Sequence, residues 1–376
     1  MQTRSSYTWL TYSSYRITYN PSSNPLNHNP TIATPMLACF LDAPHKVKVR
    51  DVPIPKLATG DILIRMEASG ICGTDLEKIE GQLGPVGILG HEVSGNIEKV
   101  TDNISDYKPG DRVVAHHHVP CYNCADCSTG NYTLCNEFKK TNIDPCGFAE
   151  YFRVPEYNVE RGAVIPLPPE LSYEEGAMIE PTACCIRAIR RANIKQGDNI
   201  LVVGLGPTGL TQIQLLRHAS TGKILGSDIV EARLQLGEKL GADETINALA
   251  EDVPAHIRKV TRDGVDLAIV STGNEKALNQ AFNSVRKGGR ILLFGAPSQG
   301  ATYQLNVSEL FSCQVTLLSS YSCVEAEMEE AIRLVSKKRL DLKNLISDRF
   351  NLRDAEKAME FARSSKTAIK TMVVSS

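Results

Sequence analysis

The sequence predicts an α/β protein in two parts, a small domain of short irregular β-strands and a doubly wound parallel sheet. Three observations predict it. From Met36 onward, short alternating stretches are broken by Gly and Pro, as in Asp61-Ile-Leu-Ile-Arg-Met-Glu and Asp111-Arg-Val-Val-Ala, the pattern of half-buried strands. From about Asn199 the pattern becomes apolar strands alternating with helices, which argues for a parallel sheet covered on both faces. The 376 residues also exceed what one hydrophobic core usually serves.

In the second part, strands are expected at Ile200 to Val203, Ile224 to Asp228, Asp266 to Val270 and Arg290 to Phe294. Helices are expected at Leu210 to Leu216 and from Glu231 to Leu240, the latter stopped by Gly241. After Leu318, Met328, Ala331, Ile332 and Val335 share one helical face, and Ala355, Ala358, Met359 and Ala362 another. Both helices are expected to return to the first domain. There is no internal repeat of solenoid length.

Residues 1–35 read differently. They are rich in Ser, Tyr, Asn and Pro, hold the lone Trp9, and no acidic residue precedes Asp42. Arg4 and Arg16 in a hydroxyl-rich context suggest an organellar transit peptide, but the Asn-Pro pairs from Asn20 to Pro30 would break its helix. A disordered extension, or a start at Met36, is the plainer reading.

A formal net charge of -2 supplies no basic field for nucleic acid, so a small molecule is the expected partner. No run approaches eighteen apolar residues and no secretory h-region is present, so a cytoplasmic protein without a membrane partner is expected. The eleven cysteines in such a chain point to metal or catalysis rather than disulfides.

Three constellations carry chemistry. Gly204-Leu205-Gly206-Pro207-Thr208-Gly209 follows a strand and opens a helix. The first glycine permits the turn, the second admits a pyrophosphate, the third allows close helix packing, and the helix N-terminus supplies N–H groups. Asp228 ends the next strand, nineteen residues after Gly209, where a carboxylate accepts ribose hydroxyls and repels a 2'-phosphate. NAD is therefore expected over NADP; Arg233 could soften that preference or be a solvated helix residue.

Cys121, Cys124 and Cys127, followed after seven residues by Cys135, can close a thiolate tetrahedron around a structural zinc with no position left open. The third constellation is dispersed: Gly70-Ile71-Cys72-Gly73-Thr74-Asp75, Gly90-His91-Glu92 and Ile179-Glu180-Pro181. Each residue alone has a plain structural explanation. Their joint occurrence beside a nucleotide motif and a closed zinc site is what gives them weight.

On these motifs, with Gly-His-Glu-Val-Ser-Gly and the terminal Ala-Ile-Lys-Thr-Met-Val-Val, the chain from Met36 to its end resembles the zinc-containing alcohol, polyol and threonine dehydrogenases of the medium-chain dehydrogenase/reductase superfamily. The resemblance implies a GroES-like catalytic domain from residues 36–187 and 326–376, and a Rossmann domain, 188–325, between them. It implies two zinc ions per subunit, NAD, and a homodimer or homotetramer.

By resemblance, Cys72 and His91 are catalytic-zinc ligands and Asp75 orients the histidine from behind. Glu180, twenty-four residues before Gly204, stands at the third-ligand position, which is cysteine in alcohol dehydrogenases and glutamate in polyol and threonine relatives. Glu92 is the other carboxylate that reaches the metal there. Charge balance argues that one glutamate ligates at a time, because a thiolate plus two carboxylates would make the zinc site anionic.

The resemblance also implies a Lewis-acidic zinc and hydride transfer to the nicotinamide, with Thr74 starting a proton relay. The family has a histidine where this chain has Glu77, which leaves either Glu77 or water as the relay's end. Thr101 replaces a usual glycine, and Ser322 and Cys323 replace the Arg-Tyr pair that sorbitol dehydrogenases use on substrate. Phe138 and Thr141 resemble cleft residues, and His116, His117 and His118 are read as structural. A silent NAD-binding relative of the same fold is the rival reading; it would not need Cys72, Thr74, His91 and Glu180 together. Zinc-free quinone or enoyl reductases would lack both zinc motifs.

Overall fold

The computed structural model describes residues 35–83, 87–219 and 221–375; apart from Pro35, the expected N-terminal extension lies outside the described residues. Two sheets organise the rest. In the first, the strands run in the order Ile346–Asn351, Lys370–Val374, Ile62–Gly70, Glu92–Val100, Arg112–Ala115 and Val164–Pro166, and Tyr151–Val154 also pairs with Ile62–Gly70. Strands from the beginning and the end of the described chain thus join one sheet. A separate hairpin, Pro35–Ala43 with Lys46–Pro53, packs on it.

Register in this sheet decides much of the chemistry. Gly70 pairs with Glu92 on one side and with Met372 on the other, so Glu92 and the start of the C-terminal strand flank a residue with no side chain. A Cβ at Gly70 would collide with the Glu92 carboxylate and the Lys370 stem. Gly70 is required there by close approach.

The second sheet has six strands, all parallel: Glu244–Asn247, Ile224–Asp228, Ile200–Val203, Val265–Val270, Val285–Leu293 and Thr316–Ser319. Numbered by sequence this is the 3-2-1-4-5-6 order, which reverses direction beside Ile200–Val203 and opens a crevice at the carboxyl ends of the strands. Alternate side chains enter opposite cores. Ile200, Val202, Leu267 and Ile269 join one cluster, and Leu201, Val203, Ala268 and Val270 the other, as a period of two requires of a sheet covered on both faces.

Helix Glu325–Ser336 packs on helix Ile179–Arg191. Its Met328, Ala331, Ile332 and Val335 join a core that also holds Ile200 and Val202 of the parallel sheet and Ala68, Val114 and Met372 of the first sheet. That helix therefore bridges both sheets, whereas Ala355, Ala358 and Met359 of helix Ala355–Ser364 belong to the first sheet's own core. Among the described residues, no helix is long and apolar enough to cross a membrane.

Candidate active site

A cavity of about 1230 Å³ runs between the two sheets, and Cys72, Thr74, Glu77, His91, Glu92, Glu180, Gly204, Gly206, Thr208, Asp228 and Arg233 all reach its wall. The glycine turn and the dispersed constellation thus face one space.

Cys72 is the N-cap of the short helix Gly73–Ile79. Wholly buried Asp75, in that helix's first turn, accepts hydrogen bonds from the Cys72 N–H (3.1 Å) and the Gly90 N–H (2.9 Å), and its Oδ1 lies 3.8 Å from His91 Nδ1. One carboxylate therefore fixes both loops that present Cys72 and His91, the outer-shell arrangement that orients a metal-binding histidine. Burial opposes charge on His91, but Cys72, Asp75 and Glu180 outweigh it and raise the imidazole to about 10. The pocket's field favours a cation.

Ligand atoms of Cys72, His91 and Glu92 all lie within 4.8 Å of one another, a thiol, an imidazole and a carboxylate converging as zinc requires. Spacing pointed to Glu180 as the third member. The structure instead groups the buried Glu180 carboxylate with His116 and Cys323, again within 4.8 Å, although Glu180 remains close enough to act on the charge of His91. It stands in the first turn of helix Ile179–Arg191. Burial raises its pKa, as does Glu92, while His91 opposes the rise.

Lys370 was not anticipated as a site residue. Its buried ammonium pairs with Glu92 and donates to the Ile71 carbonyl at 3.0 Å. Burial works against that charge, but Glu92 and Cys72 prevail and raise its pKa. This corrects the charge argument that allowed only one glutamate near the metal. With the ammonium counted, a zinc dication, one thiolate and two carboxylates are neutral together. The signal was present in the sequence as a lone ionisable residue opening the apolar run Lys370-Thr-Met-Val-Val.

Thr74 reaches the cavity with its hydroxyl buried and unpartnered by protein. The Glu77 carboxylate accepts from the Ser298 hydroxyl at 3.3 Å. His117 also lines the cavity, its ring tilted against those of His91 and His118 and its Nδ1 unpartnered. His118 Nδ1 meets the Thr141 carbonyl at 2.5 Å. Phe138 and Thr141 do not line the cavity; Lys139 and Asn142 do. Phe138 is buried with Cys127, Cys135 and Val324, and the Thr141 hydroxyl accepts from the Val119 N–H. The reason is the 3-10 turn Phe138–Lys140, which points successive side chains about 120° apart. Thr101, in place of a glycine, uses its hydroxyl to accept from the Gly60 N–H at 2.8 Å.

On the opposite wall, Gly204 has a φ of +92° and Pro207 is the first residue of helix Pro207–Arg217. A Cβ at Gly209 would strike the Gly204 carbonyl, so helix and strand meet as closely as a nucleotide fold demands. Asp228 accepts hydrogen bonds from the N–H groups of Leu205 (2.6 Å), Ile229 (2.7 Å) and Val230 (2.9 Å). Arg233 Nη1 is 4.0 Å from Asp228 Oδ2, and its other nitrogen donates to the Ala368 carbonyl at 2.8 Å. Rather than a solvated helix residue, it is a tether between the two sheets.

Away from the cavity, the sulfurs of Cys121, Cys124, Cys127 and Cys135 all lie within 4.8 Å of one another. The Cys124–Cys127 separation is 3.6 Å and the Cys121–Cys127 separation 4.0 Å, the spread a tetrahedral thiolate site needs. Both donor groups fit zinc by chemistry and by spacing.

Comparison with known proteins agrees with this construction. Residues 58–168 match the alcohol dehydrogenase GroES-like domain and residues 207–337 the zinc-binding dehydrogenase model. The chain is 32% identical over 354 residues to the sorbitol dehydrogenase of Bacillus subtilis (strain 168), covering 91% of this chain and 98% of that one. It is 29% identical to a probable D-xylulose reductase A of Aspergillus clavatus, covering 90% and 96%. A crystal structure of a zinc-binding dehydrogenase from Sinorhizobium meliloti 1021, bound to NADP, superposes with a TM-score of 0.81 at 27% identity, covering 91% of this chain and 99% of that one. The chain belongs to the zinc-type alcohol and polyol dehydrogenases of the medium-chain dehydrogenase/reductase superfamily, metal- and nicotinamide-dependent oxidoreductases with a GroES-like and a Rossmann-type sheet.

Proposed function

We propose that this protein oxidises a secondary alcohol of the polyol, inositol or 3-hydroxy amino acid class to a ketone, with NAD as hydride acceptor. The observation that carries the reading is the convergence of Cys72, His91 and Glu92 on the wall of a cavity whose other wall is the Gly204–Gly209 turn. Zinc held by Cys72, His91 and Glu92, with Glu180 adjoining, would supply a Lewis acid for the substrate hydroxyl, and NAD the hydride acceptor.

The chain's own residues do the rest. The unpartnered Thr74 hydroxyl is free to receive the substrate's proton through a hydrogen bond, and Glu77 on the same wall offers a carboxylate to pass it on. The N-terminus of helix Pro207–Arg217 presents N–H groups to a pyrophosphate, and Asp228 offers acceptor capacity to ribose hydroxyls. Lys139, Asn142, His117 and Ser322 give the cavity polar walls suited to a substrate with several hydroxyls. Ser322 and Cys323, in place of an Arg-Tyr pair, leave sorbitol itself as one member of the class.

The four-cysteine lobe is proposed to hold a second, structural zinc, since four thiolates leave substrate no coordination position. Association with a second copy is supported by the edge strand Thr316–Ser319 and by Val307 and Phe311, 67% and 84% exposed. Light scattering that finds a monomer would remove that part.

The decisive assay is NADH formation by zinc-loaded protein across polyols, inositols, 3-hydroxy amino acids and simple secondary alcohols. Activity is expected on one class, lost on chelation and restored by zinc. No oxidation of any class would refute the reading.

A further inference from the structure

Behind the cavity wall lies a second convergence of donors, of which the proposed reaction calls on Glu180 alone. His116 follows strand Arg112–Ala115, Glu180 opens helix Ile179–Arg191, and Cys323 precedes helix Glu325–Ser336. All three are buried, with His116 and Cys323 at 0% exposure, and their ligand atoms lie within 4.8 Å of one another.

The atoms these groups turn towards one another have only weak partners. The Glu180 carboxylate receives only the weak thiol of Cys184, at 3.4 Å. His116 Nε2 meets the Cys323 sulfur at 3.8 Å, and that sulfur also touches the Glu180 carbonyl at 3.8 Å and shares a hydrogen bond with the Cys184 thiol. A buried carboxylate and a buried imidazole nitrogen left with sulfur neighbours alone are costly unless something stronger binds them.

His116 Nδ1 lies 3.1 Å from Glu325 Oε1; with its N–H donated on that side, the neutral ring turns the Nε2 lone pair towards Cys323 and Glu180, and the second proton that Cys323 and Glu325 favour on the metal-free ring must leave as metal binds. The Tyr122 hydroxyl in turn donates to Glu325. Tetrahedral zinc places an imidazole nitrogen and a thiolate sulfur roughly 3.5 Å apart, against 3.8 Å for His116 and Cys323. Cys184, one helical turn after Glu180, brings a second thiol beside the carboxylate.

From this geometry we propose that His116, Glu180 and Cys323, with Cys184 at the rim, form a second buried seat for a borderline-soft transition-metal dication such as zinc. A dication with one thiolate, one carboxylate and a neutral imidazole is balanced, and a nitrogen, oxygen and sulfur donor set excludes magnesium and calcium. Entry is from the cavity, whose wall includes Glu180, Cys184 and Ser322. The seat shares Glu180 with the donors around Cys72 but uses neither Cys72 nor His91, so it goes beyond the alcohol reading.

The test uses crystals of the full chain, grown with a reductant, soaked in zinc and measured on both sides of the zinc absorption edge. An anomalous peak is expected between His116 Nε2, Cys323 Sγ and the Glu180 carboxylate, separate from peaks at Cys72–His91–Glu92 and at the four-cysteine lobe. In solution, the zinc retained per subunit after gel filtration should fall by one in Cys323→Ser and in His116→Asn. No peak in the seat, a Cys184–Cys323 disulfide in its place, or a zinc count that both folded variants leave unchanged would overturn the proposal. A protein that oxidises no alcohol yet shows the peak would sink the proposed reaction and leave the seat standing.

Discussion

Replacing Lys370 by methionine keeps the length of the side chain and removes only the charge that faces Glu92. Glu92 is 1% exposed and Lys370 2%, so the substitution strands a buried carboxylate without its counter-charge, and the Ile71 carbonyl also loses its 3.0 Å hydrogen bond. Removing one member of such a buried pair costs about 3–5 kcal/mol, whereas removing both together is often close to neutral. Lys370→Met should therefore destabilise the metal-free protein by about 3–5 kcal/mol, and Glu92→Gln in the same chain should recover most of that. Zinc supplies a replacement cation beside the stranded carboxylate, so the loss should shrink in zinc-saturated protein. Urea unfolding of the wild type, the two single variants and the double variant, with and without zinc, reads all of this. A cost below about 1 kcal/mol for Lys370→Met, or a double variant whose loss is the sum of the singles, would refute the coupling.

Cys124→Ser should lose one zinc and lower thermal stability, with turnover by the folded protein retained; full stability with hydride transfer alone abolished would contradict a structural role. Asp228→Asn should raise kcat/KM with NADP relative to NAD by about tenfold, or about 1.4 kcal/mol, and equal use of both nucleotides by the wild type would remove the argument. Asp75→Asn should weaken zinc binding in a chelator competition by about 10–100-fold, and an affinity within twofold of wild type would show that Asp75 only packs. Glu92→Gln should lose the zinc between Cys72 and His91 and with it most activity. A Glu92→Gln protein that keeps that zinc, with the ion instead missing from that position in Glu180→Ala, would make Glu180 the principal ligand.

What the sequence disclosed was what neighbouring residues can encode. Ile200–Val203 and Ile224–Asp228 were legible to the residue because parallel strands covered on both faces read as unbroken apolar runs. The strand expected from Arg290 starts earlier, at Val285, since Arg286, Lys287, Gly288 and Gly289 mask it in a reading by hydropathy. The cysteine lobe and the glycine turn were legible because their spacing is itself the geometry. Lys370 and the His116, Glu325 and Cys323 group were not, because their partners lie 200 residues or more away in the chain and meet only through tertiary strand pairing and helix packing. Phe138 and Thr141 were each one position from the residues that line the cavity, an error that a single 3-10 turn is enough to cause.

Lys370 also changes how the two glutamates are to be understood. While the metal site is counted without it, Glu92 and Glu180 compete, because a second carboxylate beside a thiolate leaves an excess negative charge that opposes deprotonating an alcohol. The ammonium removes that excess from a position where it cannot itself bind metal, since its proton-bearing nitrogen is already committed to Glu92 and to the Ile71 carbonyl. Glu92 can then adjoin the metal without being the sole counter-charge, and Glu180 is released to face His116 and Cys323 as well. The C-terminal strand thus does more than close the sheet. Its pairing with Ile62–Gly70 delivers a buried cation that lets two carboxylates serve a single cleft, and a glycine at position 70 is what makes room for it.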